Sequence, residues 1–225
     1  MLPGLLCDER LWAAQAEGLS DLVTPMVMDL TRDDSTAAMA ERVLAEAPPH
    51  FALAALSMGG YVALEVMRRA PKRVTRLALF DTSARPDTPE RAARRRADLE
   101  TVAHGRFAGV TPKLLPELIH PSRVEGPVGE LVMAMAEGVG KAAFMRQQRA
   151  ILGRSDARSW LGDIRVPTLV AVGEDDVRTP VAIAEEIHRA IPHSMLHVFW
   201  DCGHLPPLEV PDETTQLLRT WLLAH

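Results

Sequence analysis

The sequence predicts an α/β protein with a mostly parallel central sheet flanked by helices. Short apolar runs are typical of buried strands, and they occur at residues 51–56, 74–80 and 167–172. Segments with helical periodicity follow these runs. Strands that alternate with helices in this way favour a parallel sheet that is covered on both faces. The alternation is interrupted between Asp81 and Pro167, which predicts an insertion in the middle of the fold.

Start and stop signals support the individual elements. Pro48 and Pro49 precede the first of these strands, and Pro71 closes the helix that follows it. A tight turn at residues 2–6 comes before these elements, and a last strand at 194–199 comes late in the chain. The remaining elements that we expect are a helix capped by Asp8, a strand at 27–30, a helix at 36–47 capped by Ser35, and helices at 61–69, 180–190 and from Pro211 onward.

The composition is that of an ordinary globular domain. A chain of 225 residues can bury about 70% of its unfolded surface in one core. A net charge of −5 offers no basic face for nucleic acid, and no apolar run approaches the length of a membrane span. The first residues lack the pattern of a signal peptide, and Cys7 and Cys202 form no disulfide framework. We therefore expect a cytoplasmic protein with free thiols and without nucleic-acid or membrane partners, while a homo-oligomer stays open.

The stretch Ala55-Leu56-Ser57-Met58-Gly59 joins a buried strand to a helix. A strand, a sharp turn with a serine at its tip and a helix form a nucleophile elbow, whose pattern is Gly-x-Ser-x-Gly. Small residues flank the serine because the turn is tight, and Ala55 replaces the first glycine. Such an elbow exposes the serine hydroxyl and leaves a free amide at the start of the helix. The alternative is that Ser57 serves as an ordinary helix N-cap.

Two further reactive side chains follow late strands. Asp176 lies in the loop after the strand at 167–172, and His204 lies in a glycine-preceded loop after the strand at 194–199. Because functional groups gather beyond the carboxyl ends of parallel strands, we expect both side chains to lie close to Ser57. In a triad with this chain order, the imidazole takes the serine proton and the carboxylate orients the imidazole. We predict no metal at this site.

Other residues compete for two of these roles. Among the histidines, His204 alone occupies a loop of this kind, in contrast to His50, His104, His120, His188, His193, His197 and His225. For the acid, several carboxylates near strand ends remain alternatives, because a carboxylate there also serves as a helix cap. These alternatives are Asp81, Glu174, Asp175 and Asp201.

Residues 86–163 are predicted to form a helical cap, inserted in a core made of residues 1–85 and 164–225. The inserted segment is helical in pattern and is punctuated by glycine and proline. A lid above the strand ends would set the size of the substrate. Methionine adapts to irregular shapes, and packing between helices is the alternative role for such side chains. The residues expected to line a pliable substrate pocket are Met133, Met135 and Phe144.

Four motifs together resemble the α/β-hydrolase superfamily, and they are closest to its small capped serine esterases, such as methyl ester carboxylesterases and enol-lactonases. The motifs are Leu2-Pro-Gly-Leu5, Ala55-Leu-Ser-Met-Gly-Gly60, Gly173-Glu-Asp-Asp176 with Thr179-Pro180, and Cys202-Gly-His204 with Glu209 and Pro211. The resemblance implies that the amides of Leu5 and Met58 form an oxyanion hole. It also implies that Asp176, at the fourth position of Gly-x-x-Asp, is the orienting acid, and that no cofactor takes part.

The start of the chain departs from this family. Relatives carry a hairpin and a further strand before the Pro-Gly turn, whereas here Met1 stands almost on that turn. We therefore expect an N-terminally shortened version of the fold. The missing strand predicts a gap between residues 27–30 and 51–56, unless the sheet is rearranged or is completed by another subunit.

Together these features predict a cofactor-free serine hydrolase that cleaves small carboxylic esters through an acyl-enzyme intermediate. One alternative is a lactonase or an amide hydrolase that uses the same triad. Another is a non-catalytic, ligand-binding member of the fold, and the reaction of Ser57 with a fluorophosphonate would distinguish such a protein from the enzymes.

Overall fold

A sheet of four parallel strands lies at the centre of the molecule, in the order β1-β2-β3-β4. The structure is a computed structural model that describes residues 1–224; His225, which we excluded as the base from the sequence, lies outside the described residues. The strands are β1 (Phe51–Leu56), β2 (Val74–Phe80), β3 (Thr168–Gly173) and β4 (Met195–Phe199). The parallel α/β class expected from the sequence is confirmed.

Helices connect and flank these strands. They are α1 (Ala13–Gly18), α2 (Thr36–Glu46), α3 (Met58–Arg69), α4 (Pro89–His104), α5 (Pro127–Leu152), α6 (Val181–Ala190), α7 (Pro206–Glu209) and α8 (Pro211–Leu223). Short 3-10 helices lie at Glu9–Trp12, Leu115–Glu117, Pro121–Arg123 and Arg158–Asp163. Among the helices of residues 1–224, none has the length and hydrophobicity that a bilayer-spanning segment requires.

Two hydrophobic clusters pack on opposite faces of the sheet. Alternate residues of a strand point to opposite faces, so Leu77 and Leu79 join one cluster while Ala78 and Phe80 join the other. Side chains of α2, α3 and α6 complete the first cluster. Side chains of α5 and α8 complete the second, together with Trp12. Burial on both faces explains why the strands appear in the sequence as continuous apolar runs.

The N-terminal residues lie along the free edge of β1. The N–H of Leu2 donates to the carbonyl of Ala54 at 2.8 Å, and the N–H of Leu56 donates to the carbonyl of Leu2 at 3.1 Å. On the other side, the N–H of Met28 donates to the carbonyl of Met1 at 3.0 Å. These contacts bring the Pro-Gly turn next to the carboxyl end of β1.

The strand expected at residues 27–30 is not formed, so that prediction is wrong. The segment is irregular, and its contacts with Met1 are too few to build a ladder. A cavity of about 470 Å³ separates the segment from part of β1, and its lining includes Phe51, Ala52 and Trp221. Met28 also lines this cavity, and the gap expected from the missing strand stays a prediction.

Helices and turns make up the chain between β2 and β3, and no residue of 86–163 is in a strand. α5 is bent at Gly140, whose φ of 76° and ψ of 175° lie outside the helical region; glycine tolerates this conformation because it lacks a Cβ. α4 packs against α5, and none of the residues of α4 is buried. The helical character of the insertion agrees with the sequence, while its role as a cap and its domain boundaries stay predictions.

Replacing Gly59 by alanine tests the close approach of the elbow to the N-terminal residues. A Cβ on Gly59 would lie 2.5 Å from the carbonyl oxygen of Leu2 and 2.8 Å from that of Pro3. We expect Gly59→Ala to lower the free energy of unfolding by about 1–3 kcal/mol, although alanine is the better helix former. Denaturant unfolding measures the change. As a control, a Cβ on Gly162 would meet its nearest atom at 3.7 Å, so Gly162→Ala should be nearly neutral. Equal stability of both variants would contradict the contact.

Candidate active site

Ser57 lies at the tip of the turn between β1 and α3. Its φ of 53° and ψ of −113° are a conformation that a residue with a Cβ rarely adopts. The side chain makes no capping hydrogen bond to α3, so the alternative that Ser57 is an ordinary N-cap does not hold. The strained turn instead directs the hydroxyl away from the helix and toward His204.

Ser57, His204 and Asp176 form a chain of hydrogen bonds. Oγ of Ser57 lies 2.8 Å from Nε2 of His204, and Nδ1 of His204 lies 2.8 Å from Oδ2 of Asp176. An ionised carboxylate only accepts hydrogen bonds, so Nδ1 carries a proton and donates it to Asp176. Nε2 is then left to accept the hydroxyl proton of Ser57. The three residues predicted to lie together from their positions after strands are linked by these two hydrogen bonds, with His204 in the middle.

The surroundings of Asp176 keep its carboxylate ionised. Burial alone would raise its pKa, but the charge of His204 and hydrogen bonds from His204 and Thr179 outweigh burial and hold the pKa well below its usual value. Oδ1 accepts the backbone N–H groups of Arg178 and Thr179 at 2.7 and 3.1 Å, and Oδ2 accepts the Thr179 hydroxyl at 2.6 Å. These donors belong to the loop between β3 and α6, and they orient Asp176 toward His204.

Three of the other candidate acids lie away from the imidazole. The side chain of Asp175 is 47% exposed, and its carboxylate is 3.8 Å from Nε2 of His120. Glu174 and Asp201 are exposed. Their positions leave Asp176 and Asp81 as the acids within the site.

Asp81 is buried beside Asp176 and His204. One oxygen from each acid and one ring nitrogen of His204 lie within 4.8 Å of one another. Such a set could ligate a cation, but both ring nitrogens of His204 are engaged in hydrogen bonds. Oδ1 of Asp81 accepts the N–H of Gly173 at 2.9 Å. These partners fit proton transfer better than metal binding.

Glu209 holds the loop that carries His204. Its side chain is fully buried, and its carboxylate accepts the N–H groups of Gly203 and Leu205 at 3.1 and 3.0 Å. These two residues flank His204 in the chain. The carboxylate also accepts the N–H of His120 at 2.7 Å. In the sequence Glu209 was one residue of a motif; in the fold it satisfies buried backbone donors on both sides of the imidazole.

The amides of Leu5 and Met58, expected as oxyanion donors, have no acceptor within residues 1–224. Leu5 lines the same cavity as Ser57, and Met58 directly follows Ser57 as the first residue of α3. The next amide along the turn, that of Leu6, donates to Oε1 of Gln147 at 3.1 Å. Gln147 thereby ties α5 to the turn, a contact over 141 residues of sequence that no local pattern indicates.

A cavity of about 430 Å³ opens onto Ser57 and His204. Phe144 contributes to its apolar wall, as predicted from the sequence. Met133 and Met135 do not line it, which corrects that part of the prediction. Met135 is fully buried in the hydrophobic cluster instead. Further lining residues are Leu5, Leu6, Val110, Leu114, Leu118 and Val132, with Arg91, Arg95, Arg106 and Arg178 among the polar ones.

Both cysteines are free and buried. Burial raises the pKa of the Cys7 thiol to about 12, and the charge of Asp8 adds to this shift. Burial, followed by the charge of Glu209, also raises the pKa of Cys202. Because the thiolate is the reactive form, neither thiol competes with Ser57 as a nucleophile, although Cys7 lines the same cavity.

A family model for the alpha/beta hydrolase fold matches residues 18–211. The chain belongs to the alpha/beta hydrolase fold family. The matched range contains Ser57, Asp176 and His204, and it includes all four strands of the sheet. The resemblance inferred from the motifs is confirmed.

Relatives of this hydrolase-fold chain include named esterases. A malate-bound esterase structure from Thermogutta terrifontis has a TM-score of 0.87 and 31% identity, covering 98% of this chain and 87% of that one. The enol-lactonase of Burkholderia xenovorans shares the fold, with a TM-score of 0.86 and 24% identity. The match covers 99% of this chain and 90% of that one. A pimeloyl-[acyl-carrier protein] methyl ester esterase of Aromatoleum aromaticum is 28% identical over 200 residues, or 84% of this chain and 80% of the relative. These names agree with the enzyme class predicted from the sequence.

Labelling of Ser57 by a fluorophosphonate tests the assignment of Asp176. Asp176→Asn removes the carboxylate that fixes the proton on Nδ1 of His204, so Nε2 no longer accepts the serine proton. We expect the labelling rate to fall by about 10³–10⁴-fold while the far-UV circular dichroism spectrum is unchanged. The matched control Asp175→Asn, on the neighbouring exposed acid, should label at the native rate. Rapid labelling of Asp176→Asn, or slow labelling of Asp175→Asn, would refute the assignment.

Proposed function

We propose that this protein hydrolyses small carboxylic esters through an acyl-enzyme intermediate on Ser57. The observation that carries the proposal is the continuous hydrogen-bond chain from Oγ of Ser57 through His204 to Asp176, with both distances at 2.8 Å. Serine is a weak nucleophile unless a base takes its proton. The chain supplies that base, and it lies at the opening of an apolar cavity.

In the first half of the reaction, Oγ of Ser57 attacks the ester carbonyl carbon while its proton moves to Nε2 of His204. The imidazolium that forms is stabilised by the adjacent charge of Asp176, which remains ionised. The carbonyl oxygen becomes an oxyanion, and the unpaired amides of Leu5 and Met58 are the donors that we assign to it. Nε2 then gives its proton to the leaving alcohol, and the C–O bond breaks to leave Ser57 acylated.

In the second half, a water molecule takes the place of the alcohol. Nε2 of His204 removes a proton from the water as its oxygen attacks the acyl carbon, and a second tetrahedral oxyanion uses the same two amides. Collapse returns the proton to Oγ of Ser57 and releases the carboxylic acid. No step needs a cofactor, and the chain's own groups balance every proton transfer.

The cavity and the names of the relatives support the proposed substrate class. A volume of about 430 Å³ with an apolar wall fits a small molecule with a short to medium acyl chain. The names of the relatives include methyl ester hydrolysis, which favours an ester over an amide, and we keep the lactone as a second candidate because of the enol-lactonase neighbour. We place the reaction in the cytoplasm, a reducing compartment that suits two free thiols.

Single and double substitutions test whether Ser57 and His204 act as one unit. With a chromogenic short-chain ester, Ser57→Ala and His204→Ala should each lower kcat/KM by at least about 10⁴-fold, and the double variant should be scarcely worse because the members of a triad are non-additive. Ser83→Ala is the matched control, since Ser83 also follows a strand and is buried, but its hydroxyl accepts the N–H of Arg85 and forms no hydrogen bond with His204. Native-like hydrolysis by Ser57→Ala would disprove the proposed function.

A further inference from the structure

Asp81 is a buried acid that the reaction described above does not use. Its side chain follows directly on β2 and has no exposed surface. Oδ1 accepts the N–H of Gly173, and Oδ2 has no hydrogen-bond donor among the described residues. An ionised carboxylate left with one donor in a dry site is strongly disfavoured. The free oxygen therefore requires an explanation.

The backbone at Asp81 places this side chain in the site at a cost in strain. Its φ is 44°, in the left-handed region that side chains with a Cβ rarely adopt. The N–H of Asp81 donates to the carbonyl of Ala171 at 2.9 Å, so backbone and side chain both bind β3. A strained residue persists where the surrounding contacts hold it in place, and such residues cluster at functional sites.

The neighbouring acid decides which of the two carries a charge. Asp176 receives hydrogen bonds from two backbone N–H groups, from the hydroxyl of Thr179 and from Nδ1 of His204, whereas Asp81 receives one. Two carboxylates that share a buried site cannot both ionise at ordinary pH. Asp176 has more hydrogen-bond donors and is therefore the acid that ionises, while Asp81 keeps its proton.

We propose that Asp81 is a neutral carboxylic acid whose Oδ2 proton faces Asp176, so that one negative charge serves both residues. A hydroxyl on Oδ2 accounts for the missing donor, because a protonated carboxyl donates rather than accepts there. Asp81 is then a positioning residue for Asp176 and does not touch the substrate. This positioning role rests on the proposed function, whereas the protonation of Asp81 does not.

The electrostatics agree with this geometry. Burial, followed by the charge of Asp176, raises the pKa of Asp81 well above its ordinary value. The hydrogen bond from the Gly173 N–H opposes this shift, and the charge of Glu209 adds the smallest contribution to it. Cys202 is a further buried titratable side chain near Asp81. His204 completes the titratable groups around it, and no arginine or lysine in residues 1–224 pairs with Asp81.

Stability as a function of pH tests the protonation without any substrate. An acid that stays protonated when folded but ionises when unfolded contributes stability at low pH that is lost as the pH rises. Asp81→Asn has the same shape and is always neutral. Its folding equilibrium constant, relative to the native protein, should therefore rise about tenfold per pH unit above about pH 4. Urea unfolding between pH 4 and 8 measures this ratio.

The exposed acid Asp175 supplies the control. The stability ratio of Asp175→Asn to native protein should stay flat over the same pH range, because the Asp175 side chain is 47% exposed to water in the folded protein. A flat or falling ratio for Asp81→Asn would overturn the proposal. Should Asp81→Asn fail to fold, infrared spectroscopy of the native protein near neutral pH decides the matter: the carbonyl band of a buried protonated carboxylic acid supports the proposal, and its absence overturns it.

The pH profile of ester hydrolysis tests whether Asp81 is neutral while the proposed reaction proceeds. Asp81→Asn should leave the midpoint of the acid limb of kcat/KM unchanged, because it exchanges one neutral group for another. An ionised Asp81 would stabilise the imidazolium of His204, and its removal would then move the midpoint to lower pH. Such a shift would refute a neutral Asp81. If the native protein does not hydrolyse esters, the proposed function and the positioning role are both wrong. The stability test would still report on the protonation of Asp81.

Discussion

The strained turn at Ser57 is the constraint on which the rest of the site depends. A φ of 53° lets the chain reverse from β1 into α3 within one residue, and it directs the serine hydroxyl out of the sheet. The turn requires a close approach of backbone on its inner side, where Gly59 lies against Leu2 and Pro3. The residues that would bind an oxyanion are therefore assembled by the same contact that shapes the nucleophile.

The buried carboxylates of the site are stabilised mainly by hydrogen bonds from neighbouring groups. Asp176 is ionised because three donors of its own loop and the adjacent imidazole of His204 stabilise it. Glu209 uses its carboxylate to satisfy backbone N–H groups on both sides of His204. Both carboxylates hold a loop in place through hydrogen bonds from backbone N–H groups, and Glu209 also lies 3.9 Å from the guanidinium of Arg123. Rigid placement of this kind stabilises charge as it develops in a reaction, because the donors need not reorganise.

Much of the fold could be predicted from the sequence because strands buried on both faces leave continuous apolar runs. The nearness of Ser57, Asp176 and His204 followed from one topological rule, that strand ends meet at one edge of a parallel sheet. Helical periodicity predicts which side chains share a face of a helix, but not what that face contacts. The bend at Gly140 turns the second half of α5 relative to its first half. Phe144 therefore reaches the cavity while Met133 and Met135 do not.

The features that sequence reasoning missed depend on contacts between distant residues. The short pairing with Met1 replaces the strand expected at 27–30, and nothing in the local residues indicates it. The bond from the Leu6 N–H to Gln147 is equally non-local. The protonation state of Asp81 depends on its burial and on Asp176, which lies 95 residues away in the chain. In the sequence Asp81 was an alternative for the orienting acid, whereas in the fold burial raises its pKa.

Rapid-quench kinetics tests most directly whether turnover passes through an ester bond on Ser57. The native protein is mixed with an activated acetate ester, and both the released alcohol and the mass of the peptide that contains Ser57 are followed through the first turnover. With such an ester we expect acylation to be faster than deacylation, and therefore a burst of alcohol equal to the enzyme concentration and one acetyl group on Ser57. Steady hydrolysis from the first turnover with Ser57 unmodified would contradict it.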